Sequence, residues 1–172
     1  MIHSDLRPAN ILLHQTEPAR PNTPLDLLLA DFGGSACPPL GLAALNIPDG
    51  PFCSPVFHGQ PASVEMDLFG MASVWYAILT GRWPFQPEVQ PGGELWETID
   101  ERLAWEEEVV YPNFRAGRFP EDVGGLPAGE VILGCWRGKF GSAEGALEAL
   151  GRWVEENGEG EGGNDGPKSQ ED

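Results

Sequence analysis

The sequence predicts a mainly α-helical domain that carries one small β-hairpin near its N-terminus. A stretch at 67–80 is apolar on every helical face, which is typical of a helix buried all round. Apolar residues also recur at helical spacing within 94–108 and 142–154. Two short apolar runs, at 11–14 and 25–30, are better suited to strands. Together these patterns indicate several helices and one small sheet.

Composition and charge narrow the class of protein. A chain of 172 residues is long enough for one domain with a real core, and 23 Gly and 17 Pro predict many loops. The net charge of −17 argues against a nucleic-acid partner, because phosphate binding needs a basic surface. Three cysteines without C-x-x-C spacing argue against a disulfide framework or a zinc site. With no apolar signal region and no long apolar run, we expect an intracellular, cytoplasmic protein that does not contact membranes.

The hairpin is the first element along the chain. Its two runs flank a Pro-rich stretch at 17–24, which predicts a long and loose tip. Asn10 then lies at one end of the hairpin and Asp31 at the other, both at the same edge. The Gly- and Pro-rich residues 33–56 are predicted to form an irregular surface segment.

Four helices are predicted after that segment. The first, 67–80, ends at Gly81, and the second spans roughly 94–108 with an apolar stripe. That stripe contains Leu95, Trp96, Ile99 and Leu103. A short apolar helix is predicted at 131–136, and Ser142 is a suitable N-cap for a last helix. The shared face of that last helix comprises Ala146, Leu147, Leu150, Trp153 and Val154.

We predict that the acidic and histidine residues outside these patterns are exposed to solvent. Glu106, Glu107 and Glu108 are expected to form a solvated helix end. His14 and His58 are expected at the surface. Residues 155–172 are rich in Gly, Glu, Asn and Asp, which predicts an acidic disordered tail.

The residues suited to catalysis or ligand binding are concentrated near the N-terminus. His3, Asp5 and Asn10 form a His-x-Asp-x-x-x-x-Asn motif, and Asp31 opens a downstream Asp-Phe-Gly. Transfer of a γ-phosphoryl group needs a carboxylate to orient the acceptor hydroxyl, oxygen ligands for Mg²⁺ and a nearby cation. Asp5 can supply the carboxylate, Asn10 and Asp31 the oxygens, and Arg7 the cation.

In this order and context the motifs resemble the C-terminal lobe of a eukaryotic-type protein kinase. The stretch 67–81 with the Trp-Pro-Phe at 83–85 is similar to that family's central helix and the turn that closes it. Ser54-Pro55-Val56 stands where the family has Ala-Pro-Glu, and Cys135-Trp136 is similar to its closing helices. The implied fold is the mainly helical half of the α+β kinase fold.

The resemblance implies a role for each site residue. Asp5 matches the catalytic base, and Asn10 and Asp31 match the magnesium ligands. Leu12 matches the residue that packs under the adenine of ATP. Arg7 stands where Ser/Thr-type kinases place a Lys, which favours protein hydroxyl groups of Ser and Thr as acceptors. ATP, Mg²⁺ and a protein substrate are therefore the implied cofactors and partners.

Three further residues are implied to support the site. His3 and Phe32 match residues that stack into an internal apolar column. Asp67 matches the Asp that holds the catalytic loop from below. The implied organisation is a lobe at 1–154 and a tail at 155–172. Within the lobe, the implied segments are a catalytic loop at 3–10, Asp-Phe-Gly at 31–33, an activation segment at 33–56 and the central helix at 67–80.

Several positions depart from the family pattern. Ser4 replaces the Arg that pairs with a phosphorylated activation segment, so that switch is not expected here. Val56 replaces a Glu, and Asp49 falls where a Thr contacts the base. The chain has no Gly-rich phosphate loop, strand Lys or helix Glu, so we expect a truncated kinase domain without its N-terminal lobe. ATP would then be only half enclosed, and we expect this chain alone to bind ATP weakly and to turn over little or nothing.

Two alternative functions stay open. The first is a catalytically inactive kinase-like module that binds or scaffolds other proteins, which the missing lobe favours. The second is a small-molecule phosphotransferase of the aminoglycoside or choline kinase type, which shares the His-x-Asp-x-x-x-x-Asn motif. The Asp67 helix and the Thr80-Gly81 turn favour a protein kinase over this second alternative.

Overall fold

The computed structural model of the protein describes residues 1–15, 25–44, 50–56, 60–87 and 98–158. Within these ranges the chain is mainly helical and contains one two-stranded antiparallel sheet, as the sequence predicts. Some predicted features lie outside the described residues. These are the hairpin tip at 17–24, Asp49, His58, Leu95, Trp96 and the tail from 159 onward.

The predicted hairpin near the N-terminus is confirmed. Strands β1 (Ile11–His14) and β2 (Asp26–Leu29) pair antiparallel, with Ile11 opposite Leu29. The pairing extends toward the site, because the Ala30 N–H donates to the Asn10 carbonyl at 2.9 Å. Most strand side chains, however, are exposed, so pairing of the two strands and not burial defines this element.

Helix α1 (Val64–Thr80) is the central element, and it begins three residues earlier than predicted. Its N-cap is Ser63, whose side chain accepts a hydrogen bond from the Met66 N–H at 3.4 Å. Gly81 ends it in the left-handed conformation (φ 72°) and donates its N–H to the Ala77 carbonyl.

The prediction that α1 is buried all round is wrong. One side of the helix enters the core, but Met71, Ile78 and Leu79 are exposed, and Ile78 retains 70% of its accessible surface. Apolar residues lie on more faces of α1 than the neighbouring described elements cover. Sequence periodicity records which faces are apolar and does not record which faces find a partner.

The second predicted helix is longer and less regular than expected. Helix α2 (Ile99–Trp105) begins at a capping box formed by Thr98 and Glu101. A π-helical turn at Glu106–Val110 includes residue 108, the predicted end of the helix. This turn leads directly into α3 (Tyr111–Arg115). The Tyr111 N–H bonds to the Glu106 carbonyl five residues earlier. This shift in hydrogen bonding accommodates Pro112, which has no N–H to donate.

Glu106 corrects the prediction of a solvated acidic helix end. Its side chain is only 2% exposed, and its Oε1 lies 3.5 Å from Nε of Arg102, one helical turn earlier. A buried carboxylate needs such a charged neighbour to offset the loss of hydration. The continuation of the helix through the π-turn places Glu106 in its interior instead of at its end.

The last two helices follow the sequence closely. Helix α4 (Gly129–Trp136) includes the predicted 131–136, and α5 (Ala143–Asn157) begins after Ser142. The Ser142 side chain accepts a hydrogen bond from the Gly145 N–H at 3.1 Å, so it is the N-cap as predicted. Because α5 continues through Asn157, the predicted start of the disordered tail at 155 is too early.

The core forms where α1 meets α4 and the helices before it. Phe69 and Tyr76 of α1 pack with Phe114 of α3 and with Ile132 and Trp136 of α4. The Trp136 indole N–H also donates to the Ser73 hydroxyl at 2.9 Å. This core fixes the position of α1, and the N-terminal loop 3–10 is hydrogen-bonded to that helix. No helix in the described ranges has the length and apolarity to cross a membrane.

Candidate functional site

The loop 3–10 is attached to α1 through Asp67. The backbone N–H groups of His3 and Ser4 donate to the two carboxylate oxygens of Asp67, at 2.6 and 2.8 Å. Burial raises the pKa of Asp67, and the two amide hydrogen bonds oppose that rise. The predicted central helix therefore contacts the predicted loop through the residue that the resemblance singled out.

His3 lies buried between this loop and the end of the hairpin. Its Nδ1 accepts the Asp5 N–H at 3.3 Å, so its Nε2 carries the proton and donates to the Ala30 carbonyl at 2.9 Å. The imidazole also meets Phe32 edge to face, with ring centroids 4.9 Å apart. Both ring nitrogens of His3 and its ring therefore make contacts within the protein, which is typical of a residue with a structural role.

Asp5 is the central polar residue of the loop. Its side chain is buried, with 4% of its surface exposed. Oδ2 accepts a hydrogen bond from Nδ2 of Asn10 at 2.9 Å and lies 3.2 Å from a guanidinium nitrogen of Arg7. Oδ1 has no hydrogen-bond partner among the described residues. A buried carboxylate oxygen without a partner is costly and is expected where a ligand completes the site.

The Asn10 side chain is oriented by the same contacts. Its Nδ2 group donates both hydrogens, one to the Asp5 carbonyl and one to Asp5 Oδ2, each at 2.9 Å. These two bonds fix the amide plane and leave the oxygen, Oδ1, to face away from Asp5. An amide oxygen is a suitable ligand for a hard cation such as Mg²⁺.

Asp31 follows β2 at the same edge of the hairpin as Asn10. The Ala30–Asn10 hydrogen bond joins the two chain segments immediately before Asp31. Asp31 is exposed, and its carboxylate accepts the Gly33 N–H at 3.4 Å. It adopts the left-handed conformation with φ 60°, as does Ser4 with φ 70°. Such conformations are uncommon outside glycine and concentrate at functional sites.

The remaining predicted site residues lie around this edge. Leu12 is half exposed on β1, next to Leu13 on the opposite face of the strand. Leu13 and Leu27 instead face α1, where they line a cavity with Val74 and Ile78. Phe32 is also about half exposed. Leu12 and Phe32 therefore present apolar surface beside the polar groups of Asp5, Asn10 and Asp31.

The activation-segment prediction is only partly covered by described residues. Residues 50–55 are buried, so the prediction of a surface segment at 33–56 is wrong for this part. Val56, which replaces the family's Glu, is exposed. Val56 carries no charge, and no Arg or Lys is buried in the described ranges, so the replacement leaves no buried cation unpaired there.

The donor set suits Mg²⁺ better than a transition metal. No group of three or more His, Cys, Asp or Glu side chains that could hold a metal occurs in the described ranges. Asn10 and Asp31 offer two oxygen donors, and magnesium is commonly held by one or two side chains together with substrate phosphates and water. Asn10 and Asp31 therefore fit Mg²⁺ that is bound together with a nucleotide.

Sequence reasoning missed several residues that shape this site. The Ser35 hydroxyl donates to the His3 carbonyl at 3.0 Å, and no sequence signal marks that contact. Ser63 was recognisable as an N-cap, since it precedes an apolar run with Glu65 in the first turn. Glu106 was recognisable from Arg102 four residues earlier and from the apolar residues around it.

Comparison with known proteins supports a relation to Ser/Thr protein kinases. The chain is 32% identical over 107 residues to the serine/threonine-protein kinase PkaB of Streptomyces coelicolor, covering 60% of this chain and 25% of that protein. It is 32% identical over 87 residues to the serine/threonine-protein kinase ATG1c of Arabidopsis thaliana, covering 49% and 11% respectively. It is 29% identical over 109 residues to the serine/threonine-protein kinase ppk13 of Schizosaccharomyces pombe, covering 55% and 30%.

The similarity covers only part of each of these relatives. The matched region is between 11% and 30% of the length of these curated relatives. No family model matches the chain. What the comparisons establish is that about half of this chain or somewhat more is similar to serine/threonine-protein kinases from a bacterium, a plant and a yeast.

Proposed function

We propose that the chain forms the lower half of a protein kinase active site and belongs to an ATP-dependent Ser/Thr-type phosphotransferase. The observation that carries this proposal is the bonded set of Asp5, Arg7 and Asn10, with Asp31 at the same hairpin edge. In this proposal residues 1–154 are the kinase-like lobe, with the catalytic loop at 3–10 and the activation segment at 33–56. The similarity to serine/threonine-protein kinases supports it independently.

Asp5 is proposed as the base. Its Oδ2 is occupied by Asn10 and Arg7, whereas Oδ1 is buried without a hydrogen-bond partner among the described residues and is the oxygen proposed to accept the proton. A Ser or Thr hydroxyl that donates to Oδ1 would be oriented for attack on the γ-phosphorus of ATP. As the new O–P bond forms, the bond from that phosphorus to the oxygen bridging the β-phosphate would break, ADP would leave with its electron pair, and the hydroxyl proton would pass to Asp5. Arg7, held against Asp5, would stabilise negative charge on the transferred group.

Asn10 and Asp31 are proposed as the Mg²⁺ ligands. Mg²⁺ supplies neutralisation of charge on the nucleotide phosphates when it is bound. Asn10 contributes its Oδ1, which faces away from Asp5 because both bonds of its Nδ2 group go to that residue. Asp31 contributes a carboxylate that the left-handed backbone and the Gly33 N–H orient. Leu12 is proposed as the apolar floor under the adenine.

A second candidate is a kinase-like binding module without transfer activity. The observation that favours it is the exposed apolar surface of the hairpin, where Leu12, Leu28 and Leu29 keep between 41% and 49% of their surface. Described residues form one wall for a nucleotide, and a one-sided site loses both burial and orientation. We therefore expect weak ATP binding and little transfer by this chain alone.

Nucleotide binding tests the proposed ligands separately from turnover. Binding of ATP is measured with Mn²⁺ in place of Mg²⁺, by relaxation enhancement of water protons. We expect Asp31→Asn and Asn10→Ala to weaken Mn²⁺–ATP binding about tenfold or more. Asp26→Asn is the matched control, because Asp26 lies at the end of β2 remote from Asn10, where it pairs with His14. Equal affinities of the Asp31→Asn and Asp26→Asn variants would contradict the assignment.

Phosphate transfer tests the base. Radiolabelled ATP and a protein substrate are incubated with this chain and with the longest polypeptide that its gene encodes. We expect Asp5→Asn to leave Mn²⁺–ATP binding in place and to lower transfer by about 10²- to 10⁴-fold. Transfer that survives Asp5→Asn would show that another residue is the base. Binding without transfer in every form would favour the binding module.

A further inference from the structure

A small pocket beside the loop 3–10 is lined by two arginines. It lies between that loop, the turn at Gly50–Phe52, the residues that follow α1, and α2 with its π-turn, and its volume is about 170 Å³. Small-molecule sites begin at roughly 300 Å³, so this pocket suits a single side chain of another molecule. The residues that define it, called here the arginine pocket, are Arg7, Pro51, Phe52, Trp83, Arg102 and Glu106.

The arginine pocket begins one side chain away from Asp5. Arg7 lines the pocket, and its Nη2 lies 3.2 Å from Oδ2 of Asp5. Successive residues of an extended chain are about 3.3 Å apart. A polypeptide that offers a Ser or Thr hydroxyl to Asp5 can therefore place the side chain of a residue one or two positions away in this pocket.

The exposed charge of the arginine pocket is positive. The side chains of Arg7 and Arg102 keep 37% and 32% of their accessible surface, whereas that of Glu106 keeps 2%. Each arginine already contacts a buried carboxylate, Asp5 for one and Glu106 for the other. A guanidinium group has five N–H donors in a planar fork, so an arginine that contacts one carboxylate can bind a second anion at its exposed edge.

This positive charge contrasts with the rest of the chain, which has 27 Asp and Glu but only 10 Lys and Arg. Two of those ten basic residues line one small pocket, where Glu106 is the only acidic residue among the described lining residues. The net charge of the chain repels an acidic peptide, whereas the exposed arginines attract an acidic side chain. Binding of an acidic side chain here would be opposite to the preference that net charge alone predicts.

Apolar side chains form the walls of the arginine pocket. Phe52 and Trp83 meet edge to face with ring centroids 5.5 Å apart, and Pro51 beside them is buried. The Gly50 N–H donates to the Tyr111 hydroxyl at 3.1 Å, which attaches this turn to α3. The methylene groups of a glutamate side chain can pack on these rings while its carboxylate reaches the arginines.

We propose that the arginine pocket binds an anionic side chain of the protein substrate, within two residues of the Ser or Thr presented to Asp5. The proposal rests on the proposed function and adds to it a substrate class, peptides with a carboxylate or a phosphate next to the acceptor. Both anions match the planar fork of a guanidinium group. Arg102 is then a specificity-determining residue, because it lines the pocket and is not among the groups proposed for transfer.

The test measures peptide binding and not phosphate transfer. Each peptide has about 11 residues, long enough to cross the site when extended, with a central Ser and mainly Ala elsewhere. The two positions on either side of the Ser carry Glu, Gln or Lys, and in a fourth peptide phosphoserine replaces every Glu. NMR titration of this chain at 0.15 M salt follows the indole N–H of Trp83, which lines the pocket.

We expect the Glu peptide to bind at least about fivefold more tightly than the Gln peptide, and more tightly than the Lys peptide. The phosphoserine peptide distinguishes the two anions. Tighter binding of the Glu peptide identifies a carboxylate as sufficient. A phosphoserine peptide that alone exceeds the Gln peptide identifies a phosphate as the anion.

Variants locate the anion in the arginine pocket. Arg102→Gln is combined with Glu106→Gln, because Glu106 would otherwise be buried without its cation. We expect this double variant to lose the preference for anionic peptides. The matched control is Arg115→Gln with Glu107→Gln, which removes one charge of each sign at exposed positions outside the pocket. Arg102→Lys keeps the charge but not the fork and should reduce the preference about twofold or more. Thermal unfolding verifies that each variant is folded.

Two results would overturn the proposal. In the first, neither anionic peptide binds more tightly than the Gln peptide. In the second, the preference survives in the Arg102→Gln, Glu106→Gln double variant. Failure of the proposed function is a separate outcome, since these measurements need neither ATP nor transfer. Charge-selective binding without transfer in any form would uphold the pocket and contradict the kinase assignment, whereas Asp5-dependent transfer without charge preference would do the reverse.

Discussion

At the scale of single residues, the polar groups near the N-terminus are fixed in pairs. Asn10 donates to Asp5, and Asp67 accepts from the backbone of His3 and Ser4. Each of these contacts compensates a polar group that would otherwise be buried without a partner. The left-handed backbone at Ser4 is held in place by one of them. Asp67 is therefore a positioning residue for the loop that carries Asp5.

Replacement of Asp67 should expose this dependence. Asp67→Ala leaves the N–H groups of His3 and Ser4 without their acceptors, and we expect a loss of about 2 to 4 kcal/mol in unfolding free energy. Asp67→Asn keeps one acceptor oxygen and should lose about half as much. Urea unfolding measures both, with the exposed Asp26→Ala as control. In the same variants, faster hydrogen exchange at the Ser4 amide is expected. An Asp67→Ala variant as stable as Asp26→Ala would show that the contact is dispensable.

At the scale of elements, the packing of α1 against the loop depends on a glycine in the middle of that helix. A Cβ atom at Gly70 would lie 2.7 Å from the Leu6 carbonyl oxygen and 3.2 Å from that of Phe52. Both are main-chain atoms, which cannot move aside as a flexible side chain can. The close approach of two chain segments, and not a turn, therefore requires glycine at this position.

Two glycine substitutions on helices should have opposite effects. Gly70→Ala forces α1 away from the loop, and we expect a loss of about 1 to 3 kcal/mol in unfolding free energy. Gly151→Ala on α5 meets no atom within 4 Å, so its higher helix propensity should raise stability by about 0.5 to 1 kcal/mol. Thermal and urea unfolding of the two variants measure the difference. Similar stability of both would mean that α1 and the loop are not in close contact.

At the scale of the whole molecule, charge opposes folding. A net charge of −17 on 172 residues concentrates like charges when the chain becomes compact. Among the described residues, acidic side chains outnumber basic ones, so the repulsion is spread over the folded chain.

Salt should therefore stabilise the folded chain at neutral pH. Screening shortens the range of repulsion from about 30 Å at 0.01 M to about 8 Å at 0.15 M ionic strength. We expect the midpoint of thermal unfolding at pH 7 to rise by a few degrees over this range, in proportion to the screened repulsion. Near pH 5, where carboxylates begin to take up protons, the rise should be smaller. A midpoint that is unchanged or falls with salt at pH 7 would show that ion pairs outweigh the repulsion.

Local features of the fold were determined by the sequence. The hairpin, the end of α1 at Gly81 and the start of α5 after Ser142 follow from short-range patterns and caps. The same locality placed Asn10 and Asp31 at one edge, because a hairpin returns the chain to its starting end. Interactions between near neighbours in sequence are sufficient to specify such features.

The tertiary structure decided which surfaces are covered. The burial of Glu106, the close approach at Gly70 and the exposure of Met71 and Ile78 depend on segments far apart in the chain. An apolar pattern specifies a surface that can be buried, but its cover comes from whichever element packs there. The continuation of α2 through the π-turn into α3 likewise depends on the core around Val110 and Phe114. Free energy of burial is a property of such contacts between distant segments, and no single stretch of sequence contains it.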